Sequence, residues 1–254
     1  MKILLAYVLI GALTGQGEPI NAPDTFRISG QIDAAFVERM KVGVTDSTKW
    51  VSVESAGGEE AKAIEAAELL LSRGISVRVE RYCLSACSLY LLAAAKKVEV
   101  APGAIVGFHA PALGTAQILR EAMPDTDQTK EIDGVARKSI ALYQKAHKNP
   151  KLLIDAFYAA DVDCLLLIKE GERISSARIR NAVDVWTPSR ERLAAYGWTV
   201  EGYWPRSQEE ETQISKAYLK EDALVRFGDE YAAPRKPDIT VSSSGCPPKR
   251  ETFK

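Results

Sequence analysis

The sequence predicts one α/β domain built on a mostly parallel sheet. Short runs rich in β-branched residues alternate with longer runs of helical periodicity, and Gly or Pro marks the junctions between them. Strands alternating with helices at this spacing imply parallel pairing through right-handed crossovers.

Taken in order, Phe26–Gly30 (FRISG) reads as a strand and Ala34–Val42 as a helix. Trp50–Glu54 (WVSVE) is a β-branched strand that ends at Ala56-Gly57-Gly58. Glu59–Arg73 places Ile64, Ala67, Leu70 and Leu71 on one helical face, with Gly74 as the stop. Ile75–Glu80 (ISVRVE) is a further strand, Tyr82–Ala86 a turn, and Ser88–Ala95 (SLYLLAAA) a buried helix. Val98–Val100 and Ala104–Phe108 read as short strands joined around Pro102 and Gly103. Thr126–Tyr158 is polar and helical with a break at Asn149-Pro150. A helix capped by Thr187 or Ser189 stops at Gly197, and Gln208–Tyr231 reads as a polar surface helix. The organisation is therefore an N-terminal segment (1–20), a domain (24–232) and a flexible tail (233–254) rich in Pro, Ser and charge. No internal repeat is present.

A chain of 254 residues, 46% hydrophobic and 26% charged, can bury a sizeable core. Its net charge is −1, and no basic block interleaved with aromatics occurs, which argues against nucleic-acid binding. Lys2 followed by the apolar run Ile3–Leu13 has the order of a secretory signal, and the run is shorter than the roughly 20 residues a membrane span requires. No clean cleavage site follows, so the expectation is an exported, periplasmic bacterial protein, anchored in the membrane only if that segment is retained. Export makes Cys83, Cys87, Cys164 and Cys246 candidates for disulfides, Cys83 with Cys87 among them, though sequence leaves the pairing open and buried free thiols stand level with it. Cys83 and Cys87 with a distant His109 form only a weak zinc pattern, and no metal or organic cofactor is expected.

Three features carry chemistry. In RVERYCLSAC, Ser85 sits between a strand and a buried helix, where its hydroxyl is lifted from the sheet and the N–H of Ala86 faces a helix N-terminus. An ordinary N-cap serine explains that position equally simply. Gly57 and Gly58 permit close approach of a carbonyl to backbone amides, although a plain tight turn also uses two glycines. His109, in VGFHAP, ends a strand. The only other histidine, His147, lies in a polar AHKNP segment, so His109 is the candidate base.

As an ordered set these residues resemble the Clp protease proteolytic subunit of the ClpP/crotonase superfamily, and more closely its exported Clp-protease-like members with a C-x-S-A-C segment. The resemblance runs through RISGQI, WVSVESAGG, RYCLSAC, PGAIVGFHAP and DVWTPSRERLAAYGW, roughly Phe26 to Trp198. It implies a spiral of ββα units with a C-terminal helical extension and a homo-oligomer. It makes Ser85 the nucleophile and His109, 24 residues later, the general base, with oxyanion amides from Gly57, Gly58 and Ala86. Asp184 matches the third member of the triad to within one residue, with Asp161 and Asp163 as rivals. Leu113–Ser176 departs from the protease pattern, so no double-ring barrel is expected, and outside the cytoplasm no ATPase partner is expected either. The expected activity is serine hydrolysis of a peptide or related acyl bond. A Ser/Lys dyad using Lys96 or Lys97 and a coenzyme A-dependent crotonase rank below it. The alternative from another class is a non-catalytic exported binding or scaffold protein.

Overall fold

The computed structural model describes residues 24–170, 173–231, 238–241 and 246; for 169–170, 173–178 and 238–241 the description is of backbone alone. The signal or anchor expected at 1–20 lies outside the described residues.

The described chain is mixed α/β around a mostly parallel sheet. Strands β1 (Thr25–Ser29), β2 (Trp50–Ser55), β3 (Ser76–Leu84), β4 (Val98–Val100) and β9 (Val200–Gly202) lie side by side in that order, all parallel, and β5 (Ile105–Gly107) also pairs with β3. One side of β3 serves two neighbours in succession. Val77–Val79 pairs with β4 and Tyr82–Leu84 with β5, and β3 shifts register against β2 between Val53 and Ser55. The turn expected at Tyr82–Ala86 therefore shrinks to Ser85, because three of its residues are held in the ladder with β5.

Alternation along these strands explains the layers. Val51, Val53, Val77, Val79, Val98 and Val100 are buried in the main core beneath helices. Ser52, Arg78 and Glu99, in register across three strands, point the other way, where Arg78 donates to both Glu99 carboxylate oxygens at 2.9 Å. Helices α1 (Ala34–Gly43) and α2 (Glu60–Arg73), a π-helical segment (Cys87–Leu92) and α4 (Asp127–Lys145) pack on the apolar side. Gly74 ends α2 at φ 62°, the left-handed stop that glycine supplies without a Cβ penalty.

Beyond β5, α3 (Ala112–Ala122) packs against both α4 and α5 (Lys151–Ala159), followed by an antiparallel hairpin of β6 (Val162–Glu170) and β7 (Arg173–Asn181). Then β8 (Val185–Thr187) leads into α6 (Arg190–Ala195), whose cap is Ser189, accepting from Arg192 N–H at 3.0 Å. Two expectations are corrected here. The polar helix expected over Gln208–Tyr231 is only α7 (Gln208–Ser215); Val225–Phe227 forms β10, paired in parallel with β8, so the C-terminal extension is a short helix plus a strand. A β-branched residue and an aromatic next to an open strand edge favour pairing over a continued helix. Within the stretch expected as a flexible tail, Asp238–Val241 forms β11 on β6, and Cys246 is bonded to Cys164. The other disulfide joins Cys83 to Cys87. Two disulfides fit an oxidising, extracytoplasmic environment. Among the described residues no helix is long and apolar enough to cross a membrane.

Candidate active site

β3 ends at Leu84, and Ser85 turns the chain into the π-helical segment with a left-handed backbone, φ 58°. A non-glycine residue held there costs about 1–3 kcal/mol, so its surroundings must over-determine it. Four constraints do so. Ser85 N–H donates to Gly107 O at 2.9 Å, and Ser85 O accepts from Leu89 N–H at 2.9 Å. The Ser88 hydroxyl lies 2.6 Å from Gly107 O and 2.9 Å from Ser85 O. The Cys83–Cys87 disulfide closes the turn from both sides, two residues before and two after the serine. These two cysteines are thereby removed as zinc ligands. Cys83, Leu84, Ala86 and Cys87 are all buried, whereas Ser85 is half-exposed and its Oγ has no hydrogen-bond partner among the described residues.

Gly57 backs directly onto this turn. It sits at φ 98°, and a Cβ there would lie 2.6 Å from Ser85 Cβ and 2.8 Å from Leu84 O. Gly58, at φ 153°, is pressed against Ile32 backbone, where a Cβ would fall 2.2 Å from the carbonyl oxygen. Both glycines are thus required by close approach. Their amides differ. Gly57 N–H donates to Ser55 Oγ at 3.1 Å, which corrects its expected role as an oxyanion donor. Gly58 N–H and Ala86 N–H donate to no acceptor among the described residues, and they remain the candidate pair.

His109 lies two residues past the end of β5, the strand that pairs with the end of β3. Phe108 and Trp186 exchange backbone hydrogen bonds of 2.8 Å in an antiparallel bridge, and the rings of Phe108, Trp186 and Trp198 pack around it. That bridge brings Asp184 across from the His109 loop. Burial holds the imidazole below its ordinary pKa, and the negative charge of Asp184 opposes the shift. A lowered value favours the neutral ring, the state a general base needs. Asp184 Oδ2 also accepts from Leu224 N–H at 2.9 Å. Of the rival acids, Asp163 is engaged by Arg180 at 3.0 and 2.8 Å, and Asp161 forms the α5–β6 turn at φ 49°. No hydrogen bond joins Ser85 to His109 in this structure, although their strand ends are adjacent.

Two residues at the site escaped the sequence reading. Asn181, at the end of β7, brings its side-chain amide nitrogen within 3.5 Å of His109 Nδ1. Glu60, half-buried in the first turn of α2, accepts from Ala112 N–H at 2.9 and 3.0 Å and from the Tyr90 hydroxyl. Burial pushes its carboxyl pKa up, against those hydrogen bonds. It clamps the loop after His109 to the start of α2, just beyond Gly58. An acid in the first turn of a helix that follows a Gly-Gly turn was the available signal for Glu60; nothing local marked Asn181.

A scan against protein-family models and a search of curated proteins return no match for this chain.

Proposed function

We propose that this chain is an exported, periplasmic serine hydrolase of the Clp-protease/crotonase kind, cleaving a peptide or related acyl bond. The observation that carries the reading is Ser85: a half-exposed serine held at positive φ on a disulfide-braced strand-to-helix turn, at the C-terminal edge of a parallel sheet. The succession of β4 and β5 along one side of β3 supports a spiral of strand and helix units.

In this mechanism Ser85 Oγ attacks the carbonyl carbon as its proton passes to His109 Nε2. The resulting oxyanion is held by the N–H groups of Gly58 and Ala86. Collapse expels the amine or alcohol, which takes the proton from the imidazolium, and water then cleaves the acyl-enzyme by the same steps in reverse. Asp184 stabilises the imidazolium through its charge.

A fluorophosphonate probe tests the reading. Wild-type protein should be labelled at one serine, and Ser85→Ala and His109→Ala should each abolish labelling while remaining folded by circular dichroism. The missing hydrogen bond between Ser85 and His109 favours a second reading, a non-catalytic exported binding protein on the same fold. Folded wild type that resists the probe would select it.

A further inference from the structure

We propose that Asn181 is the positioning residue that fixes the His109 tautomer, its side-chain carbonyl accepting the Nδ1 proton so that Nε2 is left free to act as base. The inference rests on the reading of His109 as the general base. For Nε2 to take a proton from Ser85, the neutral ring must carry its own proton on Nδ1, and a buried N–H needs an acceptor.

Asn181 is the side chain at that nitrogen, with an amide atom 3.5 Å away. Its other amide atom, Oδ1, is buried and has no hydrogen-bond partner among the described residues. The oxygen and nitrogen of an asparagine amide are exchanged by a half-turn about one bond. That half-turn puts an acceptor against Nδ1 and places the amide N–H2 where the unpartnered oxygen now stands. A closing movement of about 0.5 Å makes the contact an ordinary hydrogen bond. Asp184, the acid expected in this role, instead receives Leu224 N–H and acts on the ring through its charge. The two tasks usually combined in one carboxylate, orientation and charge, are divided here between a neutral amide and a neighbouring acid.

The test is the nitrogen spectrum of histidine in protein labelled with ¹⁵N-histidine, recorded at pH 8, with His147→Gln to assign the signals. Wild type should show a protonated Nδ1 and an unprotonated Nε2 for His109. Asn181→Ala should move the proton to Nε2 and slow fluorophosphonate labelling roughly 10- to 100-fold. Asn181→Asp, which restores an acceptor, should return both the Nδ1–H signature and the labelling. A wild-type ring protonated on Nε2, or an Asn181→Ala ring unchanged from an Nδ1–H wild type, overturns the proposal. If Asn181→Ala does not fold, the wild-type and Asn181→Asp spectra decide it. Loss of the hydrolase reading would show differently, as a wild type that fails to label whatever its tautomer.

Discussion

Gly57→Ala puts the close packing behind Ser85 to a quantitative test. The new methyl would stand 2.6 Å from Ser85 Cβ, 2.8 Å from Leu84 O and 3.0 Å from Ala86 N, on a residue at φ 98°. Restoring an ordinary carbon contact of ~3.5 Å to Ser85 requires about 1 Å of movement. The neighbours it must move are backbone atoms and a Cβ held by the ladder and the disulfide. Overpacking costs roughly 1–3 kcal/mol and the backbone strain a similar amount, so the loss of stability should be about 2–6 kcal/mol. If Ser85 is the nucleophile proposed above, a 1 Å displacement of it should slow labelling about 100-fold. Urea denaturation measures the first effect and the second-order rate of fluorophosphonate labelling the second. Gly74→Ala is the control: its φ of 62° is also left-handed, but nothing lies within 4 Å of the added methyl. It should lose roughly 1–2 kcal/mol and keep the labelling rate. A Gly57→Ala protein with wild-type midpoint and labelling rate would refute the packing argument.

The two disulfides should separate stability from reactivity. Cys164→Ser with Cys246→Ser opens a loop of sequence separation 82 and should cost about 4–5 kcal/mol, against about 2 for the separation of 4 between Cys83 and Cys87, as read from urea midpoints. Labelling should instead suffer more from Cys83→Ala with Cys87→Ala. Burial raises the Glu211 pKa to about 7, so the folded state binds the extra proton and stability should fall as pH rises from about 4.5 to 7, then level off. Glu211→Gln should flatten that limb in urea midpoints taken at pH 5 and pH 8. Burial works against the Asp155 charge, yet hydrogen bonds from Lys151, Tyr196 and Arg192 hold its pKa below the ordinary range. Its contribution is present at neutral pH and lost as pH falls through that depressed value, so Asp155→Asn should weaken wild type at pH 7 and show a shallower loss below about pH 4.

The sheet was legible because each strand states its own boundaries. β2 and β3 carry β-branched residues at alternate positions, and Gly-Gly or Gly74 closes the neighbouring elements. The β6–β7 hairpin was not legible. Its first strand reads VDCLLLIKE, whose central apolar run Cys164–Ile168 periodicity cannot assign to strand or helix, and pairing with β7 decides it. That gap hid Asn181, whose approach to His109 is a consequence of where the hairpin ends. Ser85, His109, Gly58 and Ala86 could be named from sequence because each lies within three residues of a strand end on the main sheet. The engagement of Gly57 N–H by Ser55 could not, since it depends on the backbone turning at φ 98°.

The simplest alternative for Ser85 is that it caps the helix that follows, and the chain supplies its own comparison. Asp33, Thr126, Ser189 and Ser207 are the side-chain caps of α1, α4, α6 and α7, and each accepts from the N–H three residues on. All four have extended backbones, with φ of −133°, −75°, −63° and −148°. Ser85 differs in both respects: its φ is 58° and its hydroxyl accepts from nothing among the described residues. Capping therefore does not explain why a serine occupies the position, and a glycine would adopt the same φ at lower cost. What glycine cannot supply is the hydroxyl. A strained residue retained with its hydroxyl uncommitted, braced by a disulfide and backed by a glycine that tolerates no methyl, is organised before any substrate arrives, which is the condition for lowering a barrier without reorganisation during the reaction.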